Sequence, residues 1–304
     1  MDVFYLSGQI EAKVQKLCLA IGFFDGLHIG HQTLIQEVLK IAEEKQLIPA
    51  VMTFNRHPLE VLTGRRHNYL TTLEDRLTLI RQCGIQEAYV IEFSPSVARL
   101  SPQEFIDRYL MPLGVEHIVC GEDFHFGDHG LGNAAFLKTQ PFAVSVMPPV
   151  MYDDHQKVSS TLIKQFLAEG QVEEANRLLS RPLSMTGQVI YGKQRGRLMG
   201  FPTANISDEG YTPLKRGVYA VEIDVKGQTY HGMANIGMNP TFNDLIRQSL
   251  EVHIFDFDDN IYGEIVTIRF YTHTRDEKQF ASIDELTTQL HKDLKMIRNY
   301  FSKA

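Results

Sequence analysis

The chain has 304 residues, enough for about two domains at roughly 100–200 residues each. Apolar residues make up 43% and charged residues 22%, which excludes a disordered tail protein or a fibre. A formal net charge of −7 makes duplex nucleic acid a poor partner, since phosphate binding calls for a basic patch. Cys18, Cys83 and Cys120 lie far apart with no CxxC pair, so they read as buried thiols in a reducing compartment rather than a disulfide frame or a zinc site. No stretch reaches the roughly 20 apolar residues of a membrane span. Met1–Lys16 lacks the basic-then-apolar order of a signal peptide. The expectation is a soluble cytoplasmic protein with small-molecule partners, no nucleic acid and no membrane.

From Leu17 to Val150 short apolar runs alternate with helical stretches. Leu17–Phe23 is an unbroken apolar run, as a strand covered on both faces requires. Leu34, Ile35, Val38, Leu39 and Ala42 recur at helical spacing. Ile48–Phe54 predicts a second strand. Thr71-x-x-Glu74 reads as a capping box for a helix ending at Cys83, with Gly84 at its C-terminus. Ala88–Phe93 is a third strand, Ser101-Pro102-x-Glu104 opens another helix, and Glu116–Cys120 and Ala143–Val146 add two more strands. This alternation predicts a parallel, doubly wound sheet.

The pattern changes after Arg181-Pro182. Val221, Ile223 and Val225 alternate with Glu222 and Asp224, and Lys226-Gly227 turns the chain. Leu250, Val252 and Ile254 alternate with Glu251 and His253, Asp258-Asp259-Asn260 stands where a hairpin loop belongs, and Ile261–Tyr271 is a further β-rich run. Antiparallel strands with tight turns predict a small barrel or sandwich. Ser282-x-x-Glu285 caps a terminal helix whose apolar face is Ile283, Leu286, Leu290, Leu294 and Ile297. The expected domains are 1–182 and 183–304.

Gly22-Phe23-Phe24-Asp25-Gly26-Leu27-His28-Ile29-Gly30-His31 lies where a strand hands over to a helix. In a parallel sheet that handover faces the ligand crevice, and the helix start offers unpaired N–H groups to an anion. Glycines at 22, 26 and 30 let a phosphate approach the backbone. His28 and His31 are one helical turn apart and can stabilise charge on an α-phosphate during nucleotidyl transfer. The bland alternative is a glycine-rich turn with two surface histidines. His125, His129 and His155 fit no common zinc spacing and read as solvated loop residues.

This stretch resembles the adenylyltransferase half of bacterial bifunctional riboflavin kinase/FAD synthetases, among the HxGH nucleotidyltransferases. Thr53-Phe54-x-x-His57-Pro58, Gly121-Glu122-Asp123-Phe124-x-Phe126-Gly127 and Val158-Ser159-Ser160-Thr161 match in order, so the resemblance covers almost all of residues 17–180. It departs where the family carries a proline and this chain has Arg56, and where the family carries an arginine and this chain has Lys164. The resemblance implies a Rossmann-like domain. His28 and His31 hold the triphosphate, and Gly22, Phe24, Asp25, Gly30, Asp123, Ser159, Ser160, Thr161 and Lys164 line the nucleotide site.

The second dense cluster runs from Gly192 to Asn205. Lys193, Arg195 and Arg197 among glycines make a cationic loop suited to polyphosphate, without the order of a Walker loop. Thr203 and Asn205, two apart on an extended segment, point to one side and offer neutral oxygens to Mg²⁺. An ordinary proline turn is the alternative. Glu251, alternating out of an apolar strand face, can take a proton from an attacking alcohol; a solvated outward glutamate is the commoner state.

Gly200-Phe201-Pro202-Thr203-Ala204-Asn205 is similar to the PTAN motif of flavokinases. Ala234–Phe242, Leu250–Asp258, Tyr262-Gly263 and Arg275–Phe280 follow that family's order across nearly all of residues 184–300. The resemblance implies a six-stranded antiparallel barrel with a terminal helix and Glu251 as base. Mg²⁺ sits at Thr203 and Asn205, ATP at Gly192, Lys193, Arg197, Gly200 and Pro202, and the flavin at Asn235, Arg275, Glu277 and Phe280. The full reading is a two-step enzyme. ATP phosphorylates riboflavin to FMN, then a second ATP adenylylates FMN to FAD and releases pyrophosphate. The alternatives are a kinase whose first half has lost its activity, and a flavin-binding regulator without turnover. Thr203, Asn205 and Glu251 together argue against the regulator, because storage needs neither a base nor metal ligands.

Overall fold

Leu17 to Ile21, five buried residues in a row, form the strand on which the first half of the chain is built. The computed structural model describes residues 1–7, 15–192, 200–240 and 246–303, and the chain divides into two compact units, Met1–Ser160 and Thr161–Ala304. In the first unit the elements run β1 (Asp2–Leu6), β2 (Leu17–Ile21), α1 (Ile29–Lys45), β3 (Ile48–Phe54), α2 (Pro58–Thr63), α3 (Leu73–Gln82) and β4 (Glu87–Ile91). Short helices α4 (Pro95–Ala98) and α5 (Pro102–Phe105) follow, then β5 (Val115–Gly121), β6 (His125–Phe126), β7 (Gly132–Asn133), α6 (Ala134–Leu137) and β8 (Ala143–Met147).

Six of these strands form one parallel sheet in the order β1-β4-β3-β2-β5-β8. Successive side chains of a strand point to opposite faces, and β2 supplies both cores. Leu17, Leu19 and Ile21 join Met52, Tyr89 and Phe105 on one face. Cys18 and Ala20 join Val51, Val90 and the α1 residues Ile35 and Val38 on the other. The chain leaves β2 for β3 on one side and later returns to β5 on the other, so the strand order reverses at β2. Such a reversal opens a ligand crevice at the carboxyl ends of the strands, where Gly22–His31 follows β2. Burial pushes the Cys18 and Cys120 thiols up to about 12 and about 11, and the three cysteines form no disulfide.

Two sequence expectations need correction here. Strand β1 was not anticipated; it pairs with β4 at the sheet edge, and its Tyr5 is 65% exposed. The capping box of α3 is one residue later than expected. Thr72 Oγ1 accepts from Asp75 N and Asp75 Oδ2 accepts from Thr72 N. Thr71 is drawn elsewhere, its hydroxyl accepting from Gly26 N at 2.9 Å. The box of Ser101 and Glu104 forms as expected.

The second unit begins in α7 (Ser160–Glu169), which Ser160 opens from the first unit, and continues with α8 (Val172–Leu179), β9 (Leu183–Ile190), β10 (Ala204–Ile206), β11 (Gly217–Val225), β12 (Gln228–Pro240), β13 (Ile246–Ile254), β14 (Ile265–Asp276) and α9 (Ile283–Phe301). Its strands close an antiparallel barrel in the order β10-β13-β12-β11-β14-β9. Lys226 and Gly227, with φ of 50° and 82°, form the two-residue turn between β11 and β12, the backbone hand that matches strand twist. Asp258–Asn260 does not close a hairpin. β13 pairs with β12 and β10, while β14 pairs with β11 and β9, so the segment connects non-neighbouring strands. Leu250, Val252 and Ile254 are buried while Glu251 and His253 alternate with them on the opposite face. Met233, Val218 and Ala220 pack outward with Ile297, Leu290 and Leu294 of α9. Ile283, expected on the apolar face of α9, is 69% exposed.

The units divide after Ser160, about a helical hairpin before Arg181-Pro182. Helix α8 belongs with the barrel: Asn176 Nδ2 donates to Phe270 O at 2.8 Å and its Oδ1 accepts from Leu183 N at 2.7 Å. Lys215 N also donates to Leu167 O of α7 at 3.0 Å. A fragment starting at Gln171 should therefore melt higher than one starting at Ser184, which lacks buried Val172, Ala175, Leu178 and Leu179. The expected gap is ~10 °C or more, and equal melting of the two fragments by circular dichroism would place the boundary at the barrel itself.

Candidate active sites

The first site is assembled around the backbone carbonyl of Phe23, just beyond β2. Thr53, wholly buried at the end of β3, donates its hydroxyl to Phe23 O at 3.0 Å. Arg76, 2% exposed, donates Nη1 to the same carbonyl and Nη2 to Phe54 O at 3.0 Å. Its guanidinium also lies 4.2 Å from the Phe23 ring centroid. Burial lowers the Arg76 pKa to about 10, which leaves it a cation at neutral pH. Sequence reading missed this residue. The available signal was its place among Leu73, Leu77 and Ile80 on the inner stripe of α3, where a charge needs partners.

His28 precedes α1 with extended backbone, and its carbonyl accepts from His31 N and Gln32 N at 2.7 and 3.0 Å. The two imidazoles stack at 3.6 Å between centroids, so the structure brings His28 and His31 together as expected. Withdrawal from water pushes the His31 pKa well below the ordinary histidine value, and the neighbouring charges of His28 and Arg76 act in the same direction. His31 is therefore a neutral hydrogen-bonding group at pH 7.

The glycines act differently from the expectation. A Cβ at Gly22 would meet the Phe24 ring at 3.1 Å, and one at Gly30 would meet the His28 ring at 3.3 Å. Both make room for side chains of the site; Gly26, at φ 77°, supplies the left-handed turn. Phe24 is 1% exposed and packs edge-on against His31. Asp25 is 4% exposed, and its Oδ1 accepts from Leu70 N and Thr71 N at 2.8 and 3.2 Å. Both residues support the turn from inside the domain.

Asp123, exposed beyond β5, pairs with Lys157, and this bond holds its carboxyl below the usual aspartate value. Ser160 Oγ donates to Asp25 O at 2.9 Å. Lys157 and Ser160 thus tie the stretch containing Ser159 to the carboxyl ends of β5 and β2. Thr161 and Lys164 follow on α7 in the second compact unit. His57 caps α2 through Nδ1, accepting from Leu59 N at 3.2 Å, and its ring meets Phe23 edge-on.

Two outcomes follow from this packing. Arg76→Met removes two charge-assisted bonds, so urea unfolding of the first unit should shift by about 3–5 kcal/mol; a shift below ~1 kcal/mol would show that the carbonyls find other donors. His31 binds a proton more readily unfolded than folded. Its contribution to stability is thus present above the unfolded histidine pKa of ~6.5 and is lost as pH falls below it. His117, whose pKa burial and Lys45 also lower, acts in the same sense. Stability measured from pH 7.5 to 5.5 should decline, with a shallower slope in His31→Gln. An identical slope would assign the titration to other groups.

The second site lies on the outer face of the barrel. The register places Asn205 opposite Glu251 and Glu251 opposite Asn235, then Asn235 opposite Val218 and Val218 opposite Arg275. Directly opposed residues share a face, so Asn205, Glu251 and Asn235 form a polar row across three strands. Thr203 Oγ1 lies 3.4 Å from Glu251 Oε2. A Cβ at Gly192 would fall 2.1 Å from the Asn205 amide, so only glycine lets that side chain sit there. Gly200 turns the chain at φ 77°. A pocket of about 460 Å³ opens beside Thr203, lined by Pro202, Val189, Ile254 and Phe257 and by the Asp258–Tyr262 segment. The composition of Asp258–Asn260 predicts a hairpin loop, and in the structure the segment lines this pocket. Lys193 and Arg197, with Thr241 and Phe242, lie outside the described residues.

Arg275 reaches the helix that covers this face. Its Nε and Nη2 donate to Asp293 Oδ2 of α9 at 2.9 and 2.8 Å, and Asp293 is fully buried. Arg275, expected at the flavin, holds this ion pair, and its guanidinium also faces Phe280 at 5.9 Å. Glu277 Oε1 and Asn235 Nδ2 both lie within 3.4 Å of where a Cβ on Gly237 would be, which brings two of the expected flavin residues to one spot. The hydroxyl of Thr203 and the amide oxygen of Asn205, beside the Glu251 carboxylate, suit a hard divalent cation.

The FAD synthetase family model matches residues 10–162, and the riboflavin kinase family model matches residues 179–301. The bifunctional riboflavin kinase/FMN adenylyltransferase of Bacillus subtilis (strain 168) is 41% identical over 96% of this chain and 95% of its own length. That of Listeria monocytogenes is 43% identical over 94% and 92%. A crystal structure described as a macrolide-efflux protein from Streptococcus pneumoniae superposes with a TM-score of 0.90 at 34% identity, covering 98% of this chain and 99% of that one. Its description belongs to that protein; among the described residues here no helix is long and apolar enough to cross a membrane. Two family matches in one chain, each over a site with the corresponding geometry, set aside the readings of a lone kinase and of a regulator: the chain belongs to the bifunctional riboflavin kinase/FMN adenylyltransferase family.

Proposed function

We propose that the barrel phosphorylates the ribityl 5′-hydroxyl of riboflavin and that the N-terminal domain adenylylates the resulting FMN, with the residues of each site in the following roles. The cross-strand row carries the first assignment: it gathers a carboxylate, a hydroxyl and an amide beside a pocket of nucleotide size. ATP occupies the pocket next to Thr203. Glu251 accepts the proton of the 5′-hydroxyl as its oxygen attacks the γ-phosphorus and the bond to the β-phosphate oxygen breaks. Thr203 and Asn205 would hold Mg²⁺, which when bound offsets phosphate charge. Asn235 and Glu277 orient the flavin, and no protein nucleophile is needed.

In the N-terminal domain a phosphate oxygen of FMN attacks the α-phosphorus of ATP and pyrophosphate leaves. His28 and His31 donate to the oxygens on which charge builds. His31, kept neutral by burial, donates as an imidazole N–H. The buried Arg76 adds positive potential beneath the site and holds the β2 and β3 ends in place.

A crossed experiment tests both assignments. Wild type, Glu251→Gln, His28→Ala and His31→Ala are each incubated with riboflavin or FMN, ATP and Mg²⁺, and products are resolved by chromatography. Wild type should yield FMN and FAD. Glu251→Gln should lose FMN formation by ~10²–10⁴-fold and still convert FMN to FAD. Each histidine variant should lose FAD formation by ~10²–10³-fold and keep the kinase. A Glu251→Gln enzyme with more than half its kinase rate removes the base, and equal loss of both activities in a histidine variant makes the imidazoles structural.

A further inference from the structure

Strand β10 is only three residues long, and its ladder to β13 begins at Ala204 opposite Val252. Continued one step, that register sets Thr203 opposite His253, but among the described residues no ladder bond is made at Thr203 or Pro202. The approach to Thr203 starts at Gly200, a left-handed residue with nothing within 4 Å of its would-be Cβ, and passes through Pro202, which has no N–H. Backbone geometry alone thus leaves the Thr203 hydroxyl weakly placed, although the reaction needs it beside Glu251.

We propose that His253 is a positioning residue for phosphoryl transfer, its Nδ1–H donating to Pro202 O and substituting for the missing ladder bond. The distance is 2.8 Å, and since a carbonyl only accepts, Nδ1 carries the proton. The ring is itself held. Phe201 meets it edge-on at 5.1 Å and Phe255 lies at 5.8 Å, and both phenyl groups are buried in the cluster under α9. Phe201 also meets His291 of α9 at 5.0 Å. His253 projects from the same face of β13 as Glu251, so one strand fixes both the carboxylate and, through Pro202, the hydroxyl 3.4 Å from it.

The inference rests on the kinase reading of Thr203 and Glu251, and the test separates the two. In the full chain, His253→Phe keeps an aromatic ring and loses the donor, whereas the amide nitrogen of His253→Asn falls near the position of Nδ1. Steady-state phosphorylation of riboflavin is measured against MgATP concentration, with FAD formation from FMN and the melting temperature as controls for folding. His253→Phe should lose kinase kcat/KM for MgATP by about tenfold to a hundredfold, with FAD formation and melting near wild type. His253→Asn should return to within about threefold of wild type, the recovery that a retained donor predicts. A His253→Phe enzyme with wild-type kcat/KM overturns the proposal, as does a folded His253→Asn enzyme no better than His253→Phe. If Glu251→Gln and Thr203→Ala also keep the kinase, the site reading itself fails and the proposal falls with it.

Discussion

A single carbonyl, that of Phe23, organises the first active site. It lies just beyond the central strand β2, at the point where the sheet order reverses, and it accepts from both Thr53 and Arg76. Because Arg76 also holds Phe54 O, the carboxyl ends of β2 and β3 are locked to one another and to α3. The turn that follows is fixed from within by Asp25 on Leu70 N and Thr71 N, and by Thr71 on Gly26 N. Only then do His28 and His31 stack at the start of α1. A buried cation with backbone carbonyls as partners is costly to assemble, and its place here is coherent with a site whose substrates are polyanions.

The barrel solves a related problem on a different surface. Its interior is filled by Val221, Ile223, Leu250, Val252 and Ile268, so a small barrel of this kind has no room for a ligand inside. The polar row of Asn205, Glu251 and Asn235 must face outward, where water would compete for every hydrogen bond. Helix α9 covers part of that face, and the buried Asp293 paired with Arg275 anchors it to β14. Removing one partner of such a pair typically costs about 3–5 kcal/mol because the other charge is left buried. The outward chemistry therefore depends on a helix held to the barrel by the Arg275–Asp293 and Arg298–Asp256 ion pairs and by the apolar contacts around Ile297.

Much of the fold was legible in the sequence because unbroken apolar runs and strict alternation report local burial. Leu17–Phe23 and Ile48–Phe54 declared a covered sheet, and Val221–Gly227 declared a hairpin. Strand order did not: Asp258–Asn260 has the composition of a hairpin loop, yet it joins strands that are not neighbours, a property of barrel closure and not of local sequence. His28 with His31, and Thr203 with Asn205, stood out because their spacing implies a shared side, whereas Glu251 was singled out by the family resemblance. The supporting residues were not. Asp25 reads as a ligand until the amides of Leu70 and Thr71 are found against it. Arg76 gives no functional signal of its own, and the ion pair of Arg275 with Asp293 is not visible either, because in each case the partner comes from a distant segment.

The two reactions share ATP, and neither requires covalent attachment to the protein, so each site works by placing groups rather than by supplying a nucleophile. The folds place them by opposite means. In the parallel sheet, strand ends converge on the crevice and side chains need only be braced from below, which Arg76 and Asp25 do. On the barrel, the groups come from adjacent strands whose register already sets them in line, and the weak point is the short strand β10, where the ladder stops before Thr203. A side chain reaching from the neighbouring strand is the most economical remedy available there, since a longer ladder would require an N–H that Pro202 lacks. Placement by register is rigid along the strand but blind to what lies past its end. The imidazole of His253 reaches past that end to Pro202 O, and so brackets Thr203, the residue that carries the hydroxyl.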